Sequence, residues 1–161
     1  MSLKNNLIFI FALLLLVSCD KKRVFDEYKS VGGAWQRDSI VRFTLPKLDS
    51  LKPYNLFVNV RNNDNYEFNN LFLIVSLEHQ SGVTKVDTLE YEMATPDGEL
   101  LGEGFSDIKE SKLFYKQNEV FKLGGEYNIS IKQAVRQNGK VSGVEKLEGV
   151  SEVGFRIESL D

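Results

Sequence analysis

Residues 7–17 are an unbroken apolar run, and two positions after it stands the chain's one cysteine, Cys19. Lys4 precedes the run, and Asp20, Lys21, Lys22 and Arg23 follow the cysteine. A weakly positive start, a short apolar stretch and a small residue before the cut are the layout of a secretory signal peptide. A spanning helix needs about 20 apolar residues to cross the hydrocarbon core, more than this run supplies, and a core helix would carry a polar face. The expectation is a signal-peptide helix over residues 1–18. The body that follows then has no thiol beyond Cys19 and no disulfide to staple it, so an apolar core must hold it together.

The last four residues of this segment, Leu16-Val17-Ser18-Cys19, resemble the bacterial lipobox, in which the thiol at the new N-terminus accepts an acyl chain. Cys19 is therefore expected to be lipidated and to tether the chain to a membrane. Each buried methylene contributes about 0.8 kcal/mol and a single chain binds only marginally, so several chains on one cysteine make a firm anchor. Residues 19–23 are expected to be a short tether. Its Lys21-Lys22-Arg23 cluster either touches anionic headgroups or is simply solvated.

Residues 24–161 are one domain's worth of chain. Leu56, Val58 and Val60 alternate with polar or aromatic neighbours, as do Tyr127, Ile129 and Ile131, and Val153, Phe155 and Ile157. Residues 71–77 are apolar on both faces, like a central strand. Weaker strand patterns cover 24–28, 40–45, 83–93 and 112–123. Asn62-Asn63-Asp64-Asn65, Ser81-Gly82, Pro96-Asp97-Gly98, Gly124-Gly125 and Asn138-Gly139 separate them as turns. The stretch 104–112 suits a helical turn or a loop. The expected fold is all-β: a single antiparallel β-sandwich of about seven or eight strands.

Chemistry is sparse. The formal net charge of −3 favours neither sign, and nothing suggests nucleic acid. The single histidine, His79, stands beside the Ser81-Gly82 turn, where solvation is the expected state and a general-base role needs partners that the sequence does not show. Asp87, Glu90 and Glu92 are expected on a solvated sheet face, although a pair of carboxylates in a cleft would suit glycoside hydrolysis. The Asn62–Asn65 cluster lacks the spacing of a calcium loop. Catalytic residues, a metal site, a cofactor and a small-molecule substrate are all expected to be absent. Aromatics are abundant: eleven Phe, six Tyr and one Trp. Trp35 is expected in the core; rings exposed on the sandwich would instead stack on sugars, the alternative reading.

Several segments together carry a resemblance. They are residues 61–71 (Arg-Asn-Asn-Asp-Asn-Tyr-Glu-Phe-Asn-Asn-Leu), Pro96-Asp97-Gly98 with Leu101, Gly102 and Gly104, then Gly125-Glu126-Tyr127, Gln133-Ala134-Val135-Arg136, Gly149-Val150 and residues 153–158. In that order, behind a lipobox, they resemble the GldH family of gliding-motility lipoproteins of Bacteroidota. The resemblance implies a non-enzymatic envelope component of a machinery linked to type IX secretion, with other envelope proteins as partners.

Only one acidic residue, Asp20, follows Cys19 before three basic ones, and this predicts a domain facing the periplasm. Interface hot spots favour Trp, Tyr and Arg, which makes Arg61, Tyr66 and Arg136 the candidate partner contacts. The competing structural reading has Arg61 and Asn62 ordering the turn and Arg136 pairing with a neighbouring strand.

Overall fold

Ten strands account for the ordered backbone in a computed structural model that describes residues 20–104 and 106–160. The expected signal-peptide helix and Cys19 lie outside the described residues. The strands are β1 (Arg23–Ser30), β2 (Ala34–Gln36), β3 (Val41–Thr44), β4 (Pro53–Asn62), β5 (Asn70–His79), β6 (Thr84–Glu92), β7 (Lys109–Val120), β8 (Tyr127–Gln133), β9 (Lys146–Glu148) and β10 (Val150–Ser159). No helix is present among the described residues.

Two four-stranded antiparallel sheets, ordered β1-β10-β4-β7 and β3-β8-β5-β6, face each other, and β2 pairs with β9 at one end. The period of two explains the core. Leu56, Val58 and Val60 of β4, with Val153, Phe155 and Ile157 of β10, turn inward from one sheet. Leu71, Leu73, Val75 and Leu77 of β5, with Ile129 and Ile131 of β8, turn inward from the other. Phe43 of β3 meets Phe155 across the gap at 6.4 Å. The second apolar row of β5, Phe72 and Ile74, is half-covered on the outer face.

The eight expected strands are all present, and β2 and β9 are additional. Each has only three residues, too few to show alternation, and the pairing of Trp35 with Leu147 joins distant parts of the chain. Both residues are fully buried, and the Trp35 indole N–H donates to the Ser39 carbonyl at 2.9 Å. Within the expected helical turn or loop of 104–112, residues 106–108 are an irregular stretch leading into β7, and 109–112 are already strand.

Residues 20–23 and 159–160 lie at one end of the sandwich. β1 starts there, β10 ends there, and the loops 45–52, 80–83 and 121–126 close it. The opposite, distal end carries loop 63–69, the described residues 93–104 and 106–108, and the segment between β8 and β10. β10 has ten residues, which at a rise of about 3.3 Å each separates the two ends by roughly 30 Å.

Candidate functional site

The outer face of the first sheet carries two cationic centres. Arg61 of β4 stands in one row with Glu152 of β10 and Glu110 of β7. Its Nε donates to Glu110 at 2.7 Å and its Nη1 to Glu152 at 2.6 Å. The guanidinium also lies 4.2 Å from the centre of the Tyr28 ring, whose hydroxyl donates to Glu110 at 2.9 Å. One side chain from each of the four strands thus meets here. The Tyr28 ring lies across Gly154, where a Cβ would come within 2.9 Å of it. Burial alone would push the Glu110 carboxyl up, but Arg61 and Tyr28 outweigh it and hold it below the usual range. Burial, with Glu110 beside it, raises the Tyr28 hydroxyl well above its ordinary value.

Arg156 of β10 is the second centre. Its guanidinium donates to Asp26 of β1 at 2.7 Å, to Glu158 at 2.6 Å, and to Asp20. Lys112 of β7 adds a 2.6 Å bond to Glu158. The Arg156 bond draws the Asp20 carboxyl below its ordinary value. The Ser159 N–H donates to the Lys22 carbonyl at 2.8 Å. The expected tether 19–23 is therefore already bound to the sheet one residue after Cys19.

At the distal end motifs 61–71, 133–136 and 149–150 come together, whereas Gly125-Glu126-Tyr127 lies at the tethered end and residues 153–158 run along β10. The turn 62–65 is ordered by Asn63, whose side-chain oxygen accepts from the Asn65 N–H at 3.0 Å. Arg61 and Asn62 do not order it: Arg61 faces the sheet, and the fully buried Asn62 amide has no hydrogen-bond partner among the described residues. Gly149 presses against this turn, with a φ of +83° and a Cβ position 2.3 Å from the Tyr66 nitrogen. Gln133 is buried, donating to the Val144 carbonyl at 2.8 Å and accepting from the Val135 N–H at 3.0 Å. It pins the hairpin that carries Arg136, whose backbone pairs with Gly143. Between this hairpin and residues 65–72 run two adjoining grooves that share Glu67, Phe68 and Gln137.

The three candidate contact residues separate. Arg136 is exposed on the wall of the groove. Tyr66 is buried, its hydroxyl donating to the Asn70 carbonyl at 2.9 Å and its ring meeting Phe68 at 6.0 Å, so it supports the groove from within. Arg61 is engaged within its own sheet. Sequence alone could not distinguish these environments, because all three residues sit in or beside similar motifs.

Other expectations need correction. His79 is buried rather than solvated, tilted on Tyr127 at 4.7 Å. Its Nδ1 accepts from the Ser81 N–H at 3.1 Å, so Nε2 carries the proton and donates to the Gly124 carbonyl at 3.0 Å. Both nitrogens serve to close loops. Asp87 is not on the solvated face with Glu90 and Glu92, because an odd spacing reverses the side. It accepts from Tyr115 at 2.7 Å and pairs with Lys116 at 2.9 Å, joining β6 to β7. The rings a sugar platform would need are engaged in packing: among the described aromatics only Phe114, 50% accessible, is exposed. No group of three His, Asp or Glu side chains among the described residues is placed to hold a metal ion.

A two-sheet antiparallel body joined closely to a lipobox-type cysteine defines the class of small β-sandwich lipoproteins. The chain belongs to the GldH lipoprotein family, whose sequence profile matches residues 23–157. It is 66% identical over 161 residues, all of both chains, to the gliding motility lipoprotein GldH of Flavobacterium johnsoniae. It is 54% identical over 154 residues to the gliding motility lipoprotein GldH homolog of Christiangramia forsetii, covering 96% of this chain and 94% of that one. Among solved structures, a family GH115 4-O-methyl-alpha-glucuronidase aligns with a TM-score of 0.46 at 13% identity. That alignment covers 89% of this chain but only 18% of the enzyme, and it implies nothing about glucuronidase chemistry here.

Proposed function

We propose that this chain is a non-enzymatic component of the gliding machinery, linked to type IX secretion. Lipid on Cys19 anchors it, its domain faces the periplasm, and its distal end engages another envelope protein. The observation that carries this reading is that motifs 61–71 and 133–136 line one groove, with Gly149 packed against the turn beneath it, about 30 Å from the tethered end by strand length. A mixed-charge groove beside an ordered hairpin suits a protein loop, and Arg136 on its wall is the side chain best placed to anchor one.

The test is complementation of a deletion strain, scoring spreading, adhesin display and type IX secretion. Cys19→Ala is expected to release the protein from membranes and abolish rescue. Arg136→Glu is expected to leave the protein folded and anchored but to impair rescue. Normal spreading, display and secretion in the deletion strain would refute the role. Digestion of the domain by protease added to intact cells would refute the periplasmic orientation.

A further inference from the structure

The tethered end of the sandwich displays apolar side chains that the core does not use. Leu51 is 90% accessible, and Leu123, Val83 and Leu160 are also exposed. Leu51 and Leu123 are held out by ordered backbone. The Leu51 N–H donates to the Asp49 carboxylate at 2.9 Å, and the Asp49 N–H donates to the Tyr54 hydroxyl at 3.1 Å. The Leu123 N–H donates to the Tyr127 hydroxyl at 3.2 Å. Tyr54 and Tyr127 both pack on Phe121, at 6.1 and 4.9 Å, so the two loops share one support.

Charge is divided along the same axis. Lys21, Lys22, Arg23, Lys47 and Lys122 are exposed at the tethered end and outnumber the exposed carboxylates Asp49 and Glu126, while Asp20 there is paired with Arg156. At the distal end the exposed carboxylates of Asp64, Glu67, Asp97, Glu99, Glu103, Asp107, Glu145 and Glu148 outnumber the exposed cations Arg136, Lys140 and Lys146. An anionic bilayer therefore attracts one end and repels the other. The bond from Asp20 to Arg156 ties the residue directly after Cys19 to the folded sheet, so an acylated cysteine would hold this same end at the lipid surface.

We propose that the tethered end is a membrane-docking surface. Leu51 and Leu123 enter the headgroup region of the anionic bilayer that holds the lipid anchor, the lysines lie at the phosphates, and the distal groove points away from the membrane. Exposed leucines ringed by lysines are the chemistry of an interfacial contact. The proposal rests on anchoring at Cys19, and it adds that the domain has a fixed orientation rather than swinging on a tether.

Acylation of Cys19 leaves no other thiol, so a single introduced cysteine can be labelled in the mature lipoprotein. Leu51→Cys, Leu123→Cys and Val141→Cys, each bearing an environment-sensitive fluorophore, are reconstituted in vesicles of phosphatidylethanolamine and phosphatidylglycerol. Val141, 91% accessible, is the distal control. Flotation with the vesicles reports anchoring. A lipid-borne quencher is expected to reduce emission at 51 and 123 several-fold more than at 141, with a blue shift at the first two. Flotation with equal quenching at all three positions would overturn docking while leaving anchoring intact. Failure to float would overturn both. Shielding of 51 from an aqueous quencher without lipid quenching would place a protein there instead and would overturn the proposal.

Discussion

Arg156 in the last strand forms an ion pair with Asp20, the residue directly after Cys19, across 136 positions of sequence. This contact turns a nominal tether into part of the first sheet, and it shares its guanidinium with Asp26 and Glu158. With the Arg156 side chain only 14% accessible, its loss removes the cation shared by Asp20, Asp26 and Glu158 and leaves Lys112 to pair with Glu158.

Arg156→Gln is accordingly expected to destabilise the domain by about 2 kcal/mol, within the range of hydrogen bonds to charged groups. Urea unfolding would measure this. Hydrogen exchange should show faster exchange confined at first to residues 20–24, because the Ser159 N–H still holds the Lys22 carbonyl. A loss of stability without any change at 20–24 would mean that the clasp does not order the tether.

The Arg61 cluster should be worth less per pair. Arg61, Glu110 and Glu152 keep 34–43% of their side-chain surface in solvent, where water competes for each charge. Double-mutant cycles of Arg61→Ala with Glu110→Ala or Glu152→Ala are expected to give coupling energies of about 0.5–1 kcal/mol, declining with added salt. Coupling well above that would show that the stacked Tyr28 ring dries the site.

Two glycines with similar backbone angles should respond very differently to alanine. Gly139 has φ +78° and open space around its Cβ position, whereas Gly149 has φ +83° and a Cβ position 2.3 Å from the Tyr66 nitrogen. Gly139→Ala is expected to cost about 1 kcal/mol from backbone strain alone. Gly149→Ala adds a clash that moves the 63–66 turn, for a total of about 3 kcal/mol or more. Chemical denaturation of the two variants is the comparison, and equal costs would show that the Tyr66 turn yields freely.

Stability should fall at both extremes of pH. Tyr28, Tyr66 and Tyr115 have folded values raised well above the ordinary one, chiefly by burial, and burial raises Tyr91 to about 12. A raised folded value means that the unfolded chain loses its protons first. This contribution is complete below the unfolded value of about 10 and is lost as pH rises above it. In acid the sign is opposite. Glu110 and Glu158, where Arg61, Tyr28, Lys112 and Arg156 outweigh burial, and Asp87, bonded first to Lys116, all have folded values below the ordinary ones. Their contribution is present above the unfolded value of about 4 and disappears as pH falls through the lower folded values. Thermal melts across pH would trace both flanks. Tyrosinate absorbance should rise cooperatively with alkaline unfolding, and smooth independent titration would contradict the burial argument.

Eight strands and most of the core were legible because each side chain's burial follows from its parity along a strand. Leu56, Val58 and Val60 show this directly, and Trp35 was placed in the core by its size alone. Parity fails where a segment is too short, as in β2 and β9, or where spacing reverses the face, as it does between Asp87 and Glu90. It also cannot rank residues that share a motif. Tyr66 and Arg136 read alike as partner contacts, yet the hydroxyl of one is spent on Asn70 inside the domain while the other stands in solvent.

By itself the sequence determined the all-β class, the parity of the core, the expected anchor at Cys19 and the resemblance to its family, because these depend on local order and on residue type. Tertiary structure decided which strands meet, which arginine is free and which is committed, that motifs 61–71 and 133–136 line adjoining grooves, and that Asp20 joins Arg156. Those outcomes depend on pairing between segments as much as 136 residues apart, and such pairing is set by the closing of two sheets over a common core rather than by any local pattern.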